Sequence, residues 1–510
     1  MPEPIEYEFK TQPYAHQRRA FEATARKTIA AYFMEMGTGK SKVVIDCAAF
    51  QYEGGWVDAI LVIAPGGVAG NWVDREIPTH LPDRITRTCV VWRSGKMSTR
   101  VATEALADLI VAPGLVVLAI NVEAVLTVQG EKYLDKFLTK RQVFAVIDES
   151  IIIKSPGAAR TKRVVALMKR ARSRRICSGA PVTQGPFDLY AQFNALRPGL
   201  LGFTSFTAFK HRYGEWDEGY NPALNRTYPI LKQYRNEDEL LAKIAPYVTR
   251  ANKDDCLDLP PKVYERRPFT LAPEQRKLYD KLRDEYVAEL AAMETVTVAH
   301  ALTRLLRLQQ VTSGYWPETR FGIMCSACQG EGCPACDDLG IEIRVNPLRA
   351  LVTGTNPRVT ALLDVIAEVD PARKVIVWCR FVRDCDEVIN ALGGPSICVR
   401  YDGTVNADLR RAALEEFQNG VARFFVGTPR AGGRGLTLTA ASVVVNYSHD
   451  FSYEVRAQSE DRAHRIGQTR SVTYVDLEAE DTVDAKILDV IATKKDYAAM
   501  FSRDPPSKWL

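Results

Sequence analysis

The chain has 510 residues, of which 46% are hydrophobic and 25% are charged, as is normal for a folded globular protein. Its net charge is only +5, so any surface that binds nucleic acid has to be local. A chain of this length predicts about two to four domains. Residues 1–6 lack the apolar segment of a signal peptide, and no apolar run reaches the roughly 20 residues of a membrane span.

The cysteine pattern bears on the compartment. Of the 11 cysteines, four are clustered and the others are scattered among apolar neighbours. Scattered single cysteines are typical of a reducing setting. Together with the lack of an apolar span, this pattern predicts a cytoplasmic protein without a membrane partner. The cytoplasm would be that of a bacterium or, for a viral protein, that of its host.

The motif with the clearest chemistry is Met-Gly-Thr-Gly-Lys-Ser at residues 36–41. It follows the apolar segment Ile29–Met34, which predicts a buried strand, and precedes Val43–Ile45, which can open a helix. A glycine-rich turn at a helix start directs backbone N–H groups and the positive end of the helix dipole at an anion. The sequence therefore predicts a phosphate-binding loop. Its residues are Gly37, Thr38, Gly39, Lys40 and Ser41.

Within this loop, Lys40 is expected to reach the β- and γ-phosphates of ATP, and the Ser41 hydroxyl to hold Mg²⁺. The full pattern has Gly or Ala where this chain has Met34, so a purely structural turn stays an alternative. Upstream, the amide of Gln17 can donate and accept at once, which suits the edge of adenine. An ordinary surface helix start explains Gln17 equally well.

Two carboxylates, Asp148 and Glu149, follow a strand predicted over Phe144–Ile147. Asp148 is expected to hold Mg²⁺ through its water shell, and Glu149 to orient and deprotonate an attacking water. The alternative is an acid-rich helix N-terminus, which is common. The upstream phosphate-binding loop favours catalysis.

In chain order, these motifs and Ser178-Gly-Ala-Pro181 resemble the first motor lobe of superfamily 2 helicases. The second half of the chain continues the resemblance. Three segments resemble motifs IV, V and VI of these proteins: Val375–Phe381, Gly427–Leu438 and Gln458–Gln468. The last of them contains Arg-Ala-His-Arg-Ile-Gly-Gln, the form typical of the Snf2 subfamily.

The resemblance covers nearly the whole chain, since Leu259–Lys262 and Gln275–Tyr279 are also similar to Snf2 connectors. It implies an α/β fold with two RecA-like parallel-sheet lobes that bind ATP and are stimulated by nucleic acid. In motif V, Gly435 is expected to contact the nucleotide. Glycines there let the backbone approach a phosphate or a nucleic-acid strand closely.

Arg462 and Arg465 lie three residues apart, so on a helix they would share one face. Their fork-shaped, permanently charged guanidiniums suit γ-phosphate oxygens and the charge that develops in phosphoryl transfer. On a second lobe they would complete the site only when the lobes close, which couples hydrolysis to a hinge. The alternative is an ordinary salt-bridge network at the surface.

The chain departs from the Snf2 pattern at several positions. Ser150-Ile151 follows the acidic pair where the family has Ala-His, and that histidine helps to link the nucleotide state to the DNA-binding motifs. We therefore expect other contacts to carry the link here. The remaining departures are Gln184, Arg434 and Phe451-Ser-Tyr453. They indicate a divergent, compact member of bacterial or phage type.

A second strong pattern lies between the predicted lobes, where two Cys-x-x-Cys pairs flank Gly330 and Gly332. Four thiolates at this spacing favour tetrahedral Zn²⁺, and disulfides fit a reducing compartment poorly. The predicted zinc ligands are Cys325, Cys328, Cys333 and Cys336. Few basic or aromatic residues lie among them, which favours a structural role over DNA reading.

These inferences divide the chain into a first lobe at 1–260, a connector with a partly helical, zinc-binding insertion at 261–345, and a second lobe at 346–510. The predicted function is a monomeric, nucleic-acid-dependent ATPase of Snf2 type that translocates on double-stranded DNA. Two alternatives stay open: a strand-separating DNA or RNA helicase, and a nucleic-acid-binding protein with a decayed ATPase. The predicted catalytic residues are Lys40, Asp148, Glu149, Arg462 and Arg465.

Overall fold

The chain forms two lobes, each built on a parallel β-sheet. The computed structural model describes residues 5–66, 68–92, 100–183, 185–221, 226–256, 259–292, 298–316, 319–324, 341–346, 349–352, 354–432 and 436–503. The strands are β1 (Ile29–Met34), β2 (Ala59–Ala64), β3 (Arg87–Trp92), β4 (Leu115–Asn121), β5 (Val143–Ile147), β6 (Ser173–Ser178), β7 (Gly214–Asn221), β8 (Arg226–Tyr234), β9 (Val248–Ala251), β10 (Lys262–Phe269), β11 (Tyr315–Trp316), β12 (Thr319–Met324), β13 (Ile341–Asn346), β14 (Arg349–Ala350), β15 (Lys374–Trp378), β16 (Cys398–Tyr401), β17 (Phe424–Gly427), β18 (Ala441–Asn446) and β19 (Val472–Ala479).

The helices lie between these strands, and a π-helical stretch, Trp72–Glu76, separates two of them. The α-helices are α1 (Ala15–Thr24), α2 (Lys40–Glu53), α3 (Ala69–Asn71), α4 (Ile77–His80), α5 (Arg100–Val111), α6 (Val128–Lys140), α7 (Ala159–Met168), α8 (Leu189–Leu196), α9 (Phe206–Tyr213), α10 (Glu237–Ile244), α11 (Lys253–Cys256), α12 (Pro273–Ala292), α13 (Val298–Thr312), α14 (Pro357–Glu368), α15 (Val382–Ala391), α16 (Ala407–Asn419), α17 (Pro429–Gly432), α18 (Tyr453–Glu460) and α19 (Val483–Arg503). None of the helices within the described ranges is long and apolar enough to cross a bilayer.

The first lobe contains, among the described residues, a seven-stranded parallel sheet with the order β3-β4-β2-β5-β6-β1-β9. Its central strands are apolar along nearly their whole length, as in the Ala-Ile-Leu-Val-Ile-Ala sequence of β2. Such runs arise because both faces of a parallel sheet are covered, and two clusters of buried side chains fill these faces. β1 and β5 have one strand between them, so the loops that follow them open into one crevice.

The second lobe contains, within the same described ranges, a six-stranded parallel sheet with the order β10-β19-β18-β15-β17-β16. It has buried clusters of its own. The predicted α/β fold with two parallel-sheet lobes is therefore confirmed.

One boundary differs from the predicted division of the chain. β10 falls in the segment assigned to the connector, yet it pairs with β19 from Lys262 opposite Val472 to Phe269 opposite Ala479. Side chains that follow it, including Tyr279 on α12, belong to the buried core of the second lobe. Long-range pairing and this apolar contact place β10 and α12 in the second lobe.

Three small antiparallel pairs complete the described structure: β7 with β8, β11 with β14, and β12 with β13. The pairing of β12 with β13 ends with Met324 opposite Ile341. The four cysteines predicted to bind zinc fall at 325–340, between these two strands, and lie outside the described residues.

Candidate active site

The phosphate-binding loop joins the end of β1 to the start of α2. Gly37 and Gly39 have φ angles of +79° and +88°, in the left-handed region that side chains other than glycine rarely adopt. Gly39 is the N-cap of α2, so the loop lies at the positive end of this helix. The ammonium of Lys40 donates to the carbonyls of Met34 at 2.9 Å and Glu35 at 3.2 Å. The turn has the shape of an anion site, with its lysine folded back onto the loop.

Two side chains of α1 support this loop from behind. Gln17 Nε2 donates to the Thr38 carbonyl at 3.0 Å, and Gln17 Oε1 accepts from the N–H of Tyr14 at 3.0 Å. His16 Nε2 contacts the same Thr38 carbonyl at 2.8 Å. A Cβ on Gly39 would lie 2.1 Å from the amide nitrogen of Gln17, and the φ of +88° disfavours any other residue there. Gln17 is buried against the loop, and its contact with adenine stays a prediction.

The two predicted catalytic carboxylates follow β5 and line the same cavity as Lys40. Asp148 Oδ2 accepts a hydrogen bond from the indole N–H of Trp72 at 2.8 Å. Glu149 has a left-handed backbone with φ of +53°, which is uncommon outside glycine and recurs at active sites. Burial raises the pKa of both carboxyls, against the opposing effect of the Lys40 charge. A raised pKa makes Glu149 a better proton acceptor near neutral pH.

Arg462 and Arg465 reach this cavity from the second lobe. Arg462 donates to the carbonyls of Gln458 at 2.8 Å and Leu436 at 3.1 Å, and Arg465 donates to the same Leu436 carbonyl at 2.9 Å. Burial, followed by the charge of Arg465, lowers the pKa of Arg462 to about 10, so its guanidinium stays charged at neutral pH. Two cations from one lobe therefore face two carboxylates and a lysine from the other.

The expectation that these arginines share one face of a helix is wrong. α18 ends at Glu460, and residues 461–467 form a series of turns. The chain leaves the helical path because the Arg462 carbonyl accepts from the N–H of Leu438 at 2.9 Å and Gly467 has a φ of +98°. The side chains converge through their shared acceptor, the carbonyl of Leu436.

The cavity between the lobes is narrow in this arrangement. Its volume is about 130 Å³, whereas small-molecule sites start at about 300 Å³. A Cβ on Gly37 would lie 3.1 Å from the Cβ of Arg465, so the loop and the arginine-bearing turn are in close contact. The lining includes Lys40, Ser41, Asp148, Glu149, Arg462 and Arg465. In this arrangement the phosphate-binding loop and the arginine-bearing turn therefore form two closely spaced walls of one cavity.

The sequence does not predict the roles of two residues at this site. Trp72, which holds Asp148, lies on the π-helical stretch after α3 and is buried at the cavity. Such π-helical stretches are frequent at functional sites, but no simple sequence pattern predicts them. Lys253, at the start of α11, reaches the arginine-bearing turn through Asp461. It carried no signal because the recognised connector motif begins at Leu259.

The segment after the acidic pair contacts the Ser-Gly-Ala-Pro motif through a buried hydrogen-bond chain. Ser150 Oγ donates to Gln192 Oε1 at 2.6 Å, and Gln192 Nε2 donates to the Pro181 carbonyl at 2.7 Å. All three residues are buried, so water does not compete for these hydrogen bonds. The hydrogen-bond chain begins at Ser150, in the Ser150-Ile151 pair that stands where the Snf2 pattern has Ala-His.

A second cavity between the lobes, of about 540 Å³, carries cations from both. Lys154 of the first lobe donates to the hydroxyl of Thr183 at 2.7 Å. Arg380 and Arg430 of the second lobe pair with Asp450 at 2.5 Å and 2.9 Å. Among the described lining residues, three cations therefore face one carboxylate, which suits a phosphate-bearing chain.

Other predicted residues cannot be located in this geometry. Gly435, Arg434, Gln184 and the zinc-ligand candidates Cys325, Cys328, Cys333 and Cys336 lie outside the described residues. In the part of the chain that the structure covers, no cluster of three or more His, Cys, Asp or Glu side chains is arranged to hold a metal.

Comparison with known proteins places these features in a family. Residues 22–314 match the model of the SNF2-related domain, and residues 357–467 match that of the helicase conserved C-terminal domain. An uncharacterized ATP-dependent helicase of Mycoplasma pneumoniae is 24% identical over 369 residues, which cover 71% of this chain and 31% of that protein. TATA-binding protein-associated factor 172 of Homo sapiens is 27% identical over 398 residues, covering 72% of this chain and 21% of the human protein.

A solved structure, the Sulfolobus solfataricus SWI2/SNF2 ATPase core in complex with dsDNA, is 20% identical with a TM-score of 0.40 and covers 99% of this chain and 95% of that one. The chain spans about a fifth to a third of the two curated relatives above. Because the SNF2-related model matches more than half of its 510 residues, the chain belongs to the SNF2-related family.

Proposed function

We propose that the chain is a nucleic-acid-dependent ATPase that translocates on double-stranded DNA. One observation carries this proposal: Lys40, Asp148 and Glu149 of the first lobe line a single cavity with Arg462 and Arg465 of the second. A site divided in this way converts nucleotide binding into relative movement of the lobes.

The residues of the cavity fit hydrolysis of ATP by in-line attack of water. Glu149 would orient the water and accept its proton, while Lys40 would bind the phosphates from the loop side. Arg462 and Arg465 would stabilise the charge that develops on the transferred phosphoryl group. Ser41 and Asp148 offer oxygen ligands that fit Mg²⁺, which supplies charge neutralisation at the phosphates when bound.

The cation-lined cavity of Lys154, Arg380 and Arg430 is the proposed track for a DNA backbone. It lies between the lobes, so a strand held there contacts both of them and is moved when they close. Family membership, and the name of one relative as an ATP-dependent helicase, support a nucleic acid as the substrate. Arg380 and Arg430 would exchange Asp450 for phosphate oxygens, since bidentate guanidinium contacts suit either acceptor.

A strand-separating helicase is the second candidate, and one element favours it. The β7–β8 hairpin forms a sheet of its own beside the first lobe and exposes Tyr228 and Ile230. An exposed hairpin of this kind is able to stack against an unpaired base.

The deciding experiment is steady-state ATP hydrolysis without nucleic acid and with duplex DNA, single-stranded DNA or RNA, at one salt concentration. Lys40→Ala serves as the blank. Stimulation by duplex DNA together with displacement of a bound third strand supports the translocase. Unwinding of a tailed duplex supports the helicase, and turnover equal to the blank under every condition supports a decayed ATPase and overturns the proposal.

Three finer points belong to the same proposal. Cys325, Cys328, Cys333 and Cys336 are proposed to bind Zn²⁺, supported by their spacing and by the closed β12–β13 pair on either side. Metal analysis of the wild type and of a variant with all four changed to serine tests this. We also propose a monomer, since both arginines come from the same chain as the phosphate-binding loop, and a cytoplasmic location, supported by the scattered cysteines. Light scattering of the purified protein tests the monomer.

A further inference from the structure

Lys253 lies on the first-lobe side of the junction between the lobes. It begins α11, with one residue between it and the end of the edge strand β9. Its backbone N–H donates to Glu35 Oε2 at 2.9 Å, and the N–H of Glu35 donates to the carbonyl of Ala251 at 2.9 Å. Because Glu35 follows the last residue of β1, the backbone of Lys253 is fixed to the base of the phosphate-binding loop.

The side chain of Lys253 crosses to the second lobe. Its ammonium donates to Asp461 Oδ1 and to the carbonyl of His464, both at 2.6 Å. Only 3% of its surface is exposed, so water does not screen the pair. Lys262 also approaches Asp461, but at the longer distance of 3.4 Å. The short bonds of Lys253 are charge-assisted, and such bonds hold geometry more tightly than neutral ones.

These bonds act on the turn that carries the two arginines. Asp461 directly precedes Arg462, and His464 directly precedes Arg465. The ammonium therefore holds the turn next to each arginine, while the backbone of the same lysine is held by Glu35. One side chain thus sets the separation between the phosphate-binding loop and the turn.

We propose that Lys253 is a positioning residue for ATP hydrolysis, which holds Arg462 and Arg465 opposite the phosphate-binding loop when the lobes close. The inference rests on the proposed ATPase function and gives Lys253 no contact with ATP. The lobes have separate buried cores, so loss of the contact loosens the closed arrangement and leaves each lobe folded.

The test compares DNA-stimulated turnover in five variants. Lys253→Met keeps the length of the side chain without its charge, and we expect kcat to fall by about tenfold to a hundredfold, because misplacement by about 1 Å has effects of this size. The KM for ATP should change far less, since the phosphate-binding loop is intact. Lys253→Arg should recover part of the loss, because it restores the charge and the donors.

The other three variants separate a loss of positioning from general damage to the protein. Asp461→Ala should lower kcat as Lys253→Met does, and the double variant should lose less than the two single losses combined, because both substitutions remove the shared contact between Lys253 and Asp461. Lys243→Ala is the matched control: this lysine pairs with Glu239 at 2.8 Å within the first lobe, and it should behave as the wild type.

An undiminished kcat in folded Lys253→Met, or losses in the two single variants that simply add, would overturn the inference while leaving the ATPase function in place. If Lys253→Met fails to fold, as judged by its circular dichroism, Asp461→Ala decides by the same criterion. Wild-type turnover no higher than that of Lys40→Ala removes the proposed function, and the inference falls with it.

Discussion

Glu149 is the residue whose environment bears most directly on the chemistry. Burial raises its pKa above that of an ordinary glutamate, which is about 4.3. Only the carboxylate accepts a proton from water, so kcat/KM for ATP, which reports the ligand-free enzyme, should fall with falling pH, with its midpoint well above this value. A profile of kcat/KM against pH at saturating DNA measures this midpoint.

The matching variant is Glu149→Gln, which keeps the shape of the side chain and removes the base. We expect kcat to fall by about 10²-fold to 10⁴-fold, with ATP binding retained. A profile that stays flat down to the pKa of a free glutamate, or a Gln variant with normal turnover, would contradict the assignment of the base.

The environment of Asp384 leads to a prediction about the stability of the second lobe. It is buried in the second lobe, where it accepts a hydrogen bond from Ser448, and burial raises its pKa to about 7. In the unfolded chain its pKa is about 3.9. Between these values the unfolded chain releases a proton that the folded state retains, so the contribution of Asp384 to stability falls as pH rises and is lowest above about pH 7.

Asp384→Asn removes this titration and keeps an acceptor for Ser448. Thermal unfolding should show the second lobe stabilised in the variant above about pH 7 and not below the unfolded pKa. A loss of stability that is equal at all pH values would contradict this, because it would mean that the pKa of Asp384 is the same in the folded and the unfolded chain.

At the scale of elements, the chain Ser150–Gln192–Pro181 links the end of β5 to the end of β6 through α8. Because the family histidine is absent, we expect this hydrogen-bond chain to couple the presence of ATP in the active site to the cavity that is proposed to bind DNA. Ser150→Ala breaks the first bond and should lower the ratio of turnover with DNA to turnover without it by about fivefold or more. Ser396→Ala, at an exposed turn of the second lobe, is the control. An unchanged ratio would exclude this route.

Some strands of this fold can be predicted from the sequence, and others cannot. The sequence predicts β1 and β5 because a strand covered on both faces is a continuous apolar run, and these two runs end in a glycine-rich and an acidic loop. β10 was missed because it is an edge strand of mostly polar residues, Lys-Val-Tyr-Glu-Arg-Arg-Pro-Phe. It is defined by pairing with β19, some 210 residues later, which no local pattern records.

The candidate site, too, contains residues that the sequence reveals and residues that it does not. The phosphate-binding loop and the acidic pair are contiguous in sequence, so their spacing alone made them visible. Lys253 and Trp72 act through partners 208 and 76 residues away, and a single lysine or tryptophan carries no pattern. Residues that join elements thus become identifiable only once the lobes are assembled.

At the scale of the whole molecule, the two lobes have separate cores and share the nucleotide cavity. Separate cores predict two thermal transitions in calorimetry. A ligand stabilises the unit that binds it, by about 2.7 kcal/mol at a hundred times its Kd. A non-hydrolysable ATP analogue with Mg²⁺ should therefore raise the transition of the first lobe, which carries the phosphate-binding loop.

The transition of the second lobe should rise too, and by less, because its contribution to the cavity consists of Arg462 and Arg465. Changing both arginines to alanine should remove the second shift and keep the first, whereas Lys40→Ala should remove both. If both shifts persist without the arginines, the lobes are coupled by something other than the nucleotide. If the first lobe shifts alone in the wild type, the arginines do not reach the bound nucleotide, and the lobes close only with DNA present.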